Sequence, residues 1–388
     1  MSEHLATIAL PAYPAARAVA PIVQQYFARH LAEARQRSRQ QLAPAPDAAA
    51  IEAIIDAAFW ASLRREEGYS PKISLAFLPP EQAGQPLTFD HRFPLTAAAL
   101  SRLAPAVERP GIHLGVWRDN GESDLRVWGT TRTIPKFCFV LEVIEPGLLV
   151  VKYRRSQEQG KYVNVAVLKG DQIKMVDDAG SGLPDCPELV TSLLAFGAHT
   201  SNSDSVNVLV QLSVSMRAHG RGGSLLVVPQ SSDELRRSIV QPVSYLVTPP
   251  FSELADLMRR DPIEKSQPTW QEAFVDAVDA IAGLTAVDGA ALISDEYELL
   301  AFGAKIGRRD DGAQVEQVIV TEPIVDDAAT VVHPLELGGT RHLSAAQFVQ
   351  DQPDCVALVA SVDGRFTIFA WSPCEHMVHA HRVETLLM

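Results

Sequence analysis

Near the end of the chain, residues 338–342 bring two glycines, a hydroxyl, a guanidinium and an imidazole together where a helix is predicted to begin. The segment is Gly338-Gly339-Thr340-Arg341-His342, and apolar residues at helical spacing follow it in SAAQFV. Glycine lets a backbone approach a ligand closely, and the amides at a helix N-terminus attract anions. Arg341 offers a planar pair of donors for phosphate oxygens, and His342 can donate a hydrogen bond or exchange a proton. These residue types fit a phosphate-binding site, and they fit equally well a helix that is simply capped by Thr340.

A second candidate site stands just before an apolar, strand-like run. Asp288, Gly289 and Ala290 begin the segment DGAALIS. An Asp-Gly pair at a strand edge is commonly only a turn. A carboxylate at such an edge can also hold Mg²⁺ or Mn²⁺ and help to deprotonate a hydroxyl. The tripeptide alone leaves both interpretations open.

Two other segments are weaker candidates. GRGG at 220–223 lacks the spacing of a P-loop and precedes a strand instead of a helix, so a turn that ends a helix explains it. Cys374, His376, His379 and His381 are close enough in sequence to bind zinc. We expect a loosely ordered chain end there instead, because no second pair of ligands stands at a standard distance.

Length and composition limit the classes of function. The 388 residues are 47% hydrophobic with a formal net charge of −13, which disfavours binding to DNA or to an anionic membrane. The four cysteines, Cys138, Cys186, Cys355 and Cys374, show no CxxC spacing, so we predict reduced thiols. No apolar run is long enough for a signal peptide or a membrane span. We therefore expect a cytoplasmic protein, in a compartment where nucleoside triphosphates are abundant.

The N-terminal half is predicted to combine two helices with an antiparallel sheet. Apolar residues recur at helical spacing from Val19 to Leu31 and from Ile51 to Leu63. Beyond them the period changes to two, in short runs such as IHLGVW, FCFVLEVI and YVNVAVL that are separated by turn signals. This pattern predicts an antiparallel β meander packed against the two helices, in a first domain over residues 1–180.

The C-terminal half is predicted to be an α/β domain with a mixed sheet. The stretch 177–189 is polar, contains Gly and Pro, and has the composition of a linker. A helical pattern over 206–216 then precedes the strand-like SLLVVP, and the helical WQEAFVDAVDAIAGL precedes DGAALIS. Alternation of helix and strand favours a mixed β-sheet flanked by helices. We therefore expect a two-domain α+β or α/β chain whose second domain extends over residues 188–378.

DGA at 288–290 followed by GTRH at 339–342, both in strand and helix context, resembles the diadenylate cyclase (DAC) domain family. AHGRGGSLLVVP upstream and CVALVASVDGRFTIFAW downstream are also similar to segments of that family. The resemblance extends over residues 190–373, in matching order. Residues 1–180 look similar to the sensor domains of the class labelled DACNV, which precede some DAC domains in bacteria. That likeness implies an unknown small-molecule or protein signal at the N-terminal domain.

The resemblance implies that two ATP molecules condense into cyclic di-AMP with the help of a divalent metal, Mg²⁺ or Mn²⁺. Asp288 would bind the metal and help to activate the 3′-hydroxyl, while Arg341 and His342 would hold the phosphates. Since one domain holds one ATP, two domains would face each other in a head-to-head dimer or a higher oligomer. The nucleotide-binding residues implied by the family are Gly289, Ala290, Gly339, Thr340, Ser344 and Ser361.

Two departures from the family pattern leave the activity open. The family's second arginine after the histidine is Leu343 here, and its Ser-Glu-Glu stretch is SVD at 361–363. Loss of one charge-assisted phosphate contact commonly costs about 2 kcal/mol. Three hypotheses remain: an active cyclase controlled by the N-terminal domain, a DAC-fold nucleotide sensor with weak or no turnover, and an unrelated α/β protein. We favour the first, because Asp288, Arg341 and His342 occur together.

Overall fold

The computed structural model divides into two compact units, Met1–Val176 and Asp177–Met388. It describes residues 12–37, 42–65, 68–118, 124–154, 162–177, 208–230, 237–309 and 312–388. The predicted linker therefore lies, beyond its first residue, outside the described residues. Each unit combines helices with its own mixed sheet, so the α+β fold expected from the sequence is confirmed. No helix within these ranges is both long and apolar enough to cross a bilayer.

Two helices open the first unit and cover one face of its sheet. They are α1 (Pro14–Arg37) and α2 (Ala48–Ser62), and their apolar residues form one core with the inward side chains of the strands, as the helical spacing predicts. Asp47 caps α2, because its carboxylate accepts a hydrogen bond from the Ala50 amide at 2.8 Å. The same carboxylate binds the guanidinium of Arg118 at 2.7 Å. This pair ties the start of α2 to the end of a strand.

The sheet of the first unit has eight strands in the order β2-β4-β3-β1-β5-β6-β7-β8. Strands β5 to β8 form the predicted meander, but the expectation of a wholly antiparallel sheet is wrong, because β1 and β3 pair in parallel. A crossover through β2 and the short helix α3 returns the chain in the same direction, as a parallel pair requires. The elements are β1 (Ile73–Phe77), β2 (Leu87–Pro94), α3 (Ala97–Leu103), β3 (His113–Arg118), β4 (Leu125–Thr131), β5 (Phe139–Glu145), β6 (Leu148–Arg154), β7 (Tyr162–Lys169) and β8 (Gln172–Met175).

The second unit contains a nine-stranded sheet in the order β10-β12-β11-β9-β15-β16-β17-β13-β14. Strand β9 is parallel to β11 and β13 is parallel to β17, which confirms the predicted mixed sheet. The elements are α4 (Val208–Ala218), β9 (Gly223–Val228), β10 (Tyr245–Phe251), α5 (Glu253–Arg259), α6 (Pro262–Lys265), α7 (Pro268–Leu284), β11 (Ala290–Ser294), β12 (Leu299–Ala304), β13 (Val318–Thr321), β14 (Thr330–Val332), α8 (Pro334–Leu337), α9 (Thr340–Asp351), β15 (Val356–Ala360), β16 (Phe366–Ser372) and β17 (Met377–Arg382).

Helices cover both faces of this second sheet. Leu225 of β9 belongs to the core cluster that includes apolar residues of α4 and α7. Its neighbour Leu226 belongs to the cluster on the other face, which includes Phe348 and Val349 of α9. Successive residues of a strand point to opposite faces, so a strand buried on both faces gives the continuous apolar run seen in SLLVVP.

The histidine-rich end of the chain is part of this sheet. His379 and His381 are buried in β17, which pairs with β16 on one side and β13 on the other. The expected loosely ordered end is therefore wrong, because ladder hydrogen bonds fix the strand on both sides. Among the described residues, no three His, Cys, Asp or Glu side chains are placed to hold a metal ion. The described cysteines are free thiols, and Cys186 lies outside the described residues.

We expect Asp47→Ala to lower the free energy of unfolding of the first unit by about 1–2 kcal/mol, because the variant loses an N-cap and the contact with Arg118. Urea unfolding followed by circular dichroism measures the change. Asp90→Ala is the matched control, since the side chain of Asp90 is 95% exposed. Equal stability losses in the two variants would contradict the role assigned to the cap.

Candidate functional site

The two sequence motifs meet at one edge of the nine-stranded sheet. Strands β9 and β11 run parallel and in register, while β15 runs antiparallel to β9 and pairs Ala360 with Gly223. The N-terminal ends of β9 and β11 therefore lie beside the C-terminal end of β15. This register brings together the loops at 219–222, 286–289 and 361–365.

Asp288 is the exposed carboxylate of this edge. Its side chain is 92% exposed, and its Oδ2 lies 2.5 Å from Nζ of Lys305. Lys305 directly follows β12, whose last residue, Ala304, pairs with Ala290. The ammonium of Lys305 and, to a smaller extent, the guanidinium of Arg341 hold the pKa of Asp288 below its ordinary range. The carboxylate is therefore ionised at neutral pH, and a metal cation would compete with Lys305 for it.

Close contact between two backbones fixes the position of Asp288. Gly289 has φ +120°, and a Cβ added to it would overlap the backbone of Gly303 in β12. Ala290 is buried in the core beside the neighbouring strand. Only glycine fits at position 289, for reasons of both space and backbone conformation. The predicted contact of Gly289 and Ala290 with a nucleotide stays a prediction, and the side chain of Ala290 points into the core.

The GTRH segment forms the N-terminus of α9. Thr340 is the first residue of the helix, and Gly339 occupies the N-cap position without a side-chain hydrogen bond to the helix amides. The alternative in which Thr340 caps the helix is therefore wrong, because Thr340 is already the first helical residue. No described side chain caps α9. The His342 amide donates a hydrogen bond to the carbonyl oxygen of Gly339 at 3.0 Å, so an anion at this end would bind the amides of Thr340 and Arg341.

Arg341 extends from α9 over the glycine turn at the start of β9. A Cβ added to Gly222, whose φ is +71°, would lie 3.1 Å from Nη1 of Arg341 and 3.3 Å from the carbonyl oxygen of Ala360. The guanidinium is partly exposed, and it makes no hydrogen bond or salt bridge with any other residue that the structure describes. A cation of this kind can bind an anion without first breaking an ion pair.

His342 lies buried under Gly338 instead of on the surface. It is 2% exposed and packs edge-on against Phe369, with ring centroids 6.0 Å apart. A Cβ on Gly338 would overlap its ring, and within the described residues its Nε2 has no hydrogen-bond partner. Burial lowers the pKa of His342, so the imidazole is neutral at pH 7. Its predicted contact with phosphate stays a prediction.

The turn after β15 contains the remaining acid of the family pattern. Partial burial raises the pKa of Asp363, but the Ser361 hydroxyl and the backbone and guanidinium of Arg365 outweigh it and leave the pKa below its ordinary value. Ser361 is thus already hydrogen-bonded to a carboxylate. On α9, Ser344 is half-buried, and Leu343 packs against the core cluster of that face. The structure therefore gives Leu343 a packing role and brings Ser361 to the site edge.

Two residues of this edge, Gly222 and Lys305, could not be assigned to the site from the sequence. GRGG is the predicted turn, with φ +66° at Gly220 and +71° at Gly222, but its position under Arg341 depends on the pairing of distant strands. Lys305 ends the run LLAFGAK, and only the pairing of β12 with β11 places it beside Asp288. The feature of the sequence that could have indicated Lys305 is a lysine directly after the strand-like run that follows DGAALIS.

Comparison with protein families gives a match in the first unit. A family described as "Probable sensor domain DACNV" matches residues 40–132, a segment that contains α2, α3 and β1 to β4. This class of sensor stands N-terminal in diadenylate cyclase proteins. A search of curated proteins found no match. Residues 40–132 therefore match the predicted class of sensor domain, and both site motifs lie outside the matched segment.

We expect Gly289→Ala to destabilise the second unit by about 2 kcal/mol or more, because the new methyl overlaps a backbone at a positive φ. Gly283→Ala is the matched control: a Cβ added there, near the end of α7, meets nothing within 4 Å. That variant should be neutral or more stable by about 0.5–1 kcal/mol. Thermal unfolding of both variants measures the difference, and an unchanged Gly289→Ala would contradict the close approach of β11 and β12.

Proposed function

We propose that residues 188–378 form a diadenylate cyclase-like nucleotidyltransferase that joins two ATP molecules into cyclic di-AMP under control of the N-terminal sensor domain. The observation that supports this most is the convergence of Asp288 and Arg341, from two separate motifs, at one sheet edge. An exposed carboxylate near a guanidinium that has no ion-pair partner among the described residues suits a nucleoside triphosphate and its metal. The DACNV match adds support, because this sensor class is associated with diadenylate cyclases.

The residues present fit a divalent ion that arrives with the nucleotide. Mg²⁺ is commonly held by one or two carboxylates together with phosphate oxygens, and Mn²⁺ also prefers oxygen ligands. Asp288 is ionised and exposed, so it would be the protein ligand. When bound, such an ion neutralises phosphate charge and lowers the pKa of the attacking hydroxyl.

In the proposed reaction each 3′-hydroxyl attacks the α-phosphate of the other nucleotide. A new P–O bond forms while the bond to pyrophosphate breaks, and two such exchanges close the ring. Asp288 would orient the hydroxyl, and the proton of that hydroxyl would pass to the solvent around this exposed carboxylate. Arg341 and the first amides of α9 would stabilise the negative charge that develops on the phosphate oxygens. The nucleotide would also contact Gly339, Thr340, Ser344 and Ser361. Neutral His342 would donate one hydrogen bond to a phosphate oxygen.

The surroundings of the site support self-association. Val240, Tyr245 and Val362 are large apolar residues with at least half of their surface exposed. Tyr245 lies against Gly303, and Val362 lies beside Gly222, so both border the residues described above. One site would hold one ATP, and the reaction needs two. Exposed apolar side chains around the site suit a second copy of the chain placed face to face with the first.

A nucleotide-binding sensor with weak or no turnover is the second candidate. Leu343 packs against the core and supplies no cation, and Val362 stands where the family has an acid. Such a protein would bind ATP or a cyclic dinucleotide through Arg341 without forming product. Its response to Asp288→Asn would be limited to weaker metal binding.

Incubation of the full-length chain with ATP and Mn²⁺, followed by mass spectrometry, tests the proposal. We expect cyclic di-AMP from the wild type and a decrease of about 100-fold or more in Asp288→Asn and in Arg341→Ala, as for loss of a group that stabilises a transition state. Asp276→Asn and Arg260→Ala are matched controls, because these exposed residues lie on α7 and after α5.

The outcomes of this assay separate the two candidates. ATP binding without product from any nucleoside triphosphate would favour the sensor. Product that persists at the wild-type rate in both site variants would contradict the assignment of the site. Absence of both nucleotide binding and product would contradict both candidates.

A further inference from the structure

Lys305 belongs to the sheet-edge site, although neither motif includes it. Its Nζ is 2.5 Å from Oδ2 of Asp288, and its own carbonyl accepts a hydrogen bond from the Val240 amide at 2.8 Å. The backbone of Lys305 is thus held at the end of β12. The side chain is 51% exposed, so the ammonium can move while the backbone stays in place.

We propose that Lys305 is a nucleotide-positioning residue that takes the place of the cation missing at Leu343. Its ammonium pairs with Asp288 before nucleotide binds and contacts phosphate oxygens once a metal ion occupies Asp288. This inference rests on the function proposed above. It assigns a binding role to a residue that the DAC-type motifs do not include.

Lys305 and a metal ion would compete for one carboxylate, that of Asp288. An ammonium and a divalent cation repel each other at contact distance, so Lys305 leaves Asp288 when a metal ion binds there. Because its backbone is held at the end of β12, the displaced ammonium stays near the metal. The nearest new anions are the phosphate oxygens that share that metal, and an ammonium is a common phosphate ligand.

Arg365 is a cation at the same edge that is less suited to the task. The guanidinium of Arg365 lies 3.2 Å from Asp363, in the turn that also contains Ser361. Position 343 offers only an apolar side chain that packs against the core. Of the described residues discussed at this edge, Lys305 is the cation that would exchange a protein carboxylate for a phosphate. Arg341 would bind a phosphate without such an exchange.

The exchange has two consequences of opposite sign. Removal of the ammonium frees Asp288, so the nucleotide-free protein should bind Mn²⁺ more tightly. The same change removes a phosphate contact, so the metal–nucleotide complex should bind more weakly. Loss of folded structure would weaken both kinds of binding, which separates positioning from a merely structural role.

The test uses the full-length chain as wild type, Lys305→Ala and Lys305→Arg, with Lys265→Ala on α6 as the matched control. Electron paramagnetic resonance measures Mn²⁺ binding without nucleotide, and calorimetry measures binding of a non-hydrolysable ATP analogue in Mn²⁺. For Lys305→Ala we expect a Kd for the analogue about tenfold higher, as for loss of one charge-assisted contact, and a lower Kd for Mn²⁺. Lys305→Arg should restore most of the affinity for the analogue.

Two results would overturn the inference. Unchanged analogue binding in Lys305→Ala, with binding by the wild type, would show that Lys305 does not position nucleotide. Weaker binding of both Mn²⁺ and analogue in Lys305→Ala, with no recovery in Lys305→Arg, would assign the residue a structural role. A wild type that binds no analogue would instead contradict the proposed function itself, so the two failures are distinguishable.

Discussion

The pairing of β9 with β11 on one side and with β15 on the other determines which side chains of the second unit can meet. Since successive residues of a strand alternate between faces, a slip of one residue would exchange the core and solvent faces of a strand. The close approach of Gly289 to Gly303 extends the same constraint to β12. Asp288, Arg341 and Lys305 come together because four strands end or begin at this edge in fixed register. The candidate site thus depends on the core that sets the register.

The electrostatics of this edge differ from those of the whole chain. The protein has a formal net charge of −13, which repels free anions at long range. The edge nevertheless places the ionised carboxylate of Asp288 beside the cations of Lys305 and Arg341, and α9 has no side-chain hydrogen bond at its N-cap. An arrangement of mixed sign suits a ligand that itself has both signs, such as a metal–nucleotide complex, better than a simple anion. Buried, neutral His342 adds hydrogen-bonding capacity without further charge.

Periodicity in the sequence was enough to predict helices α1 and α2 and most strands of the first unit, and the alternation of helix and strand predicted the mixed sheet of the second unit. Periodicity did not predict the short helix α3. It did not predict β2, because LTFDHRFP is polar and its residues are largely exposed, nor the parallel pairing of β1 and β3, which depends on a crossover. The motif residues of the candidate site were also evident from the sequence. Lys305 and Gly222 were not, because their neighbours come from strands distant in sequence. The burial of His342 under Gly338 likewise depends on packing that spacing does not contain.

The central claim is that the sheet edge around Asp288 and Arg341 is a nucleotide-binding site, and amide hydrogen exchange tests it most directly. The measurement compares the full-length chain with and without a non-hydrolysable ATP analogue and Mn²⁺. We predict slower exchange in peptides that contain residues 219–223, 286–289, 338–343 and 361–365, since a bound nucleotide would order these loops and engage their amides. Exchange that stays unchanged at all four segments, or that slows only within the first unit, would contradict the account.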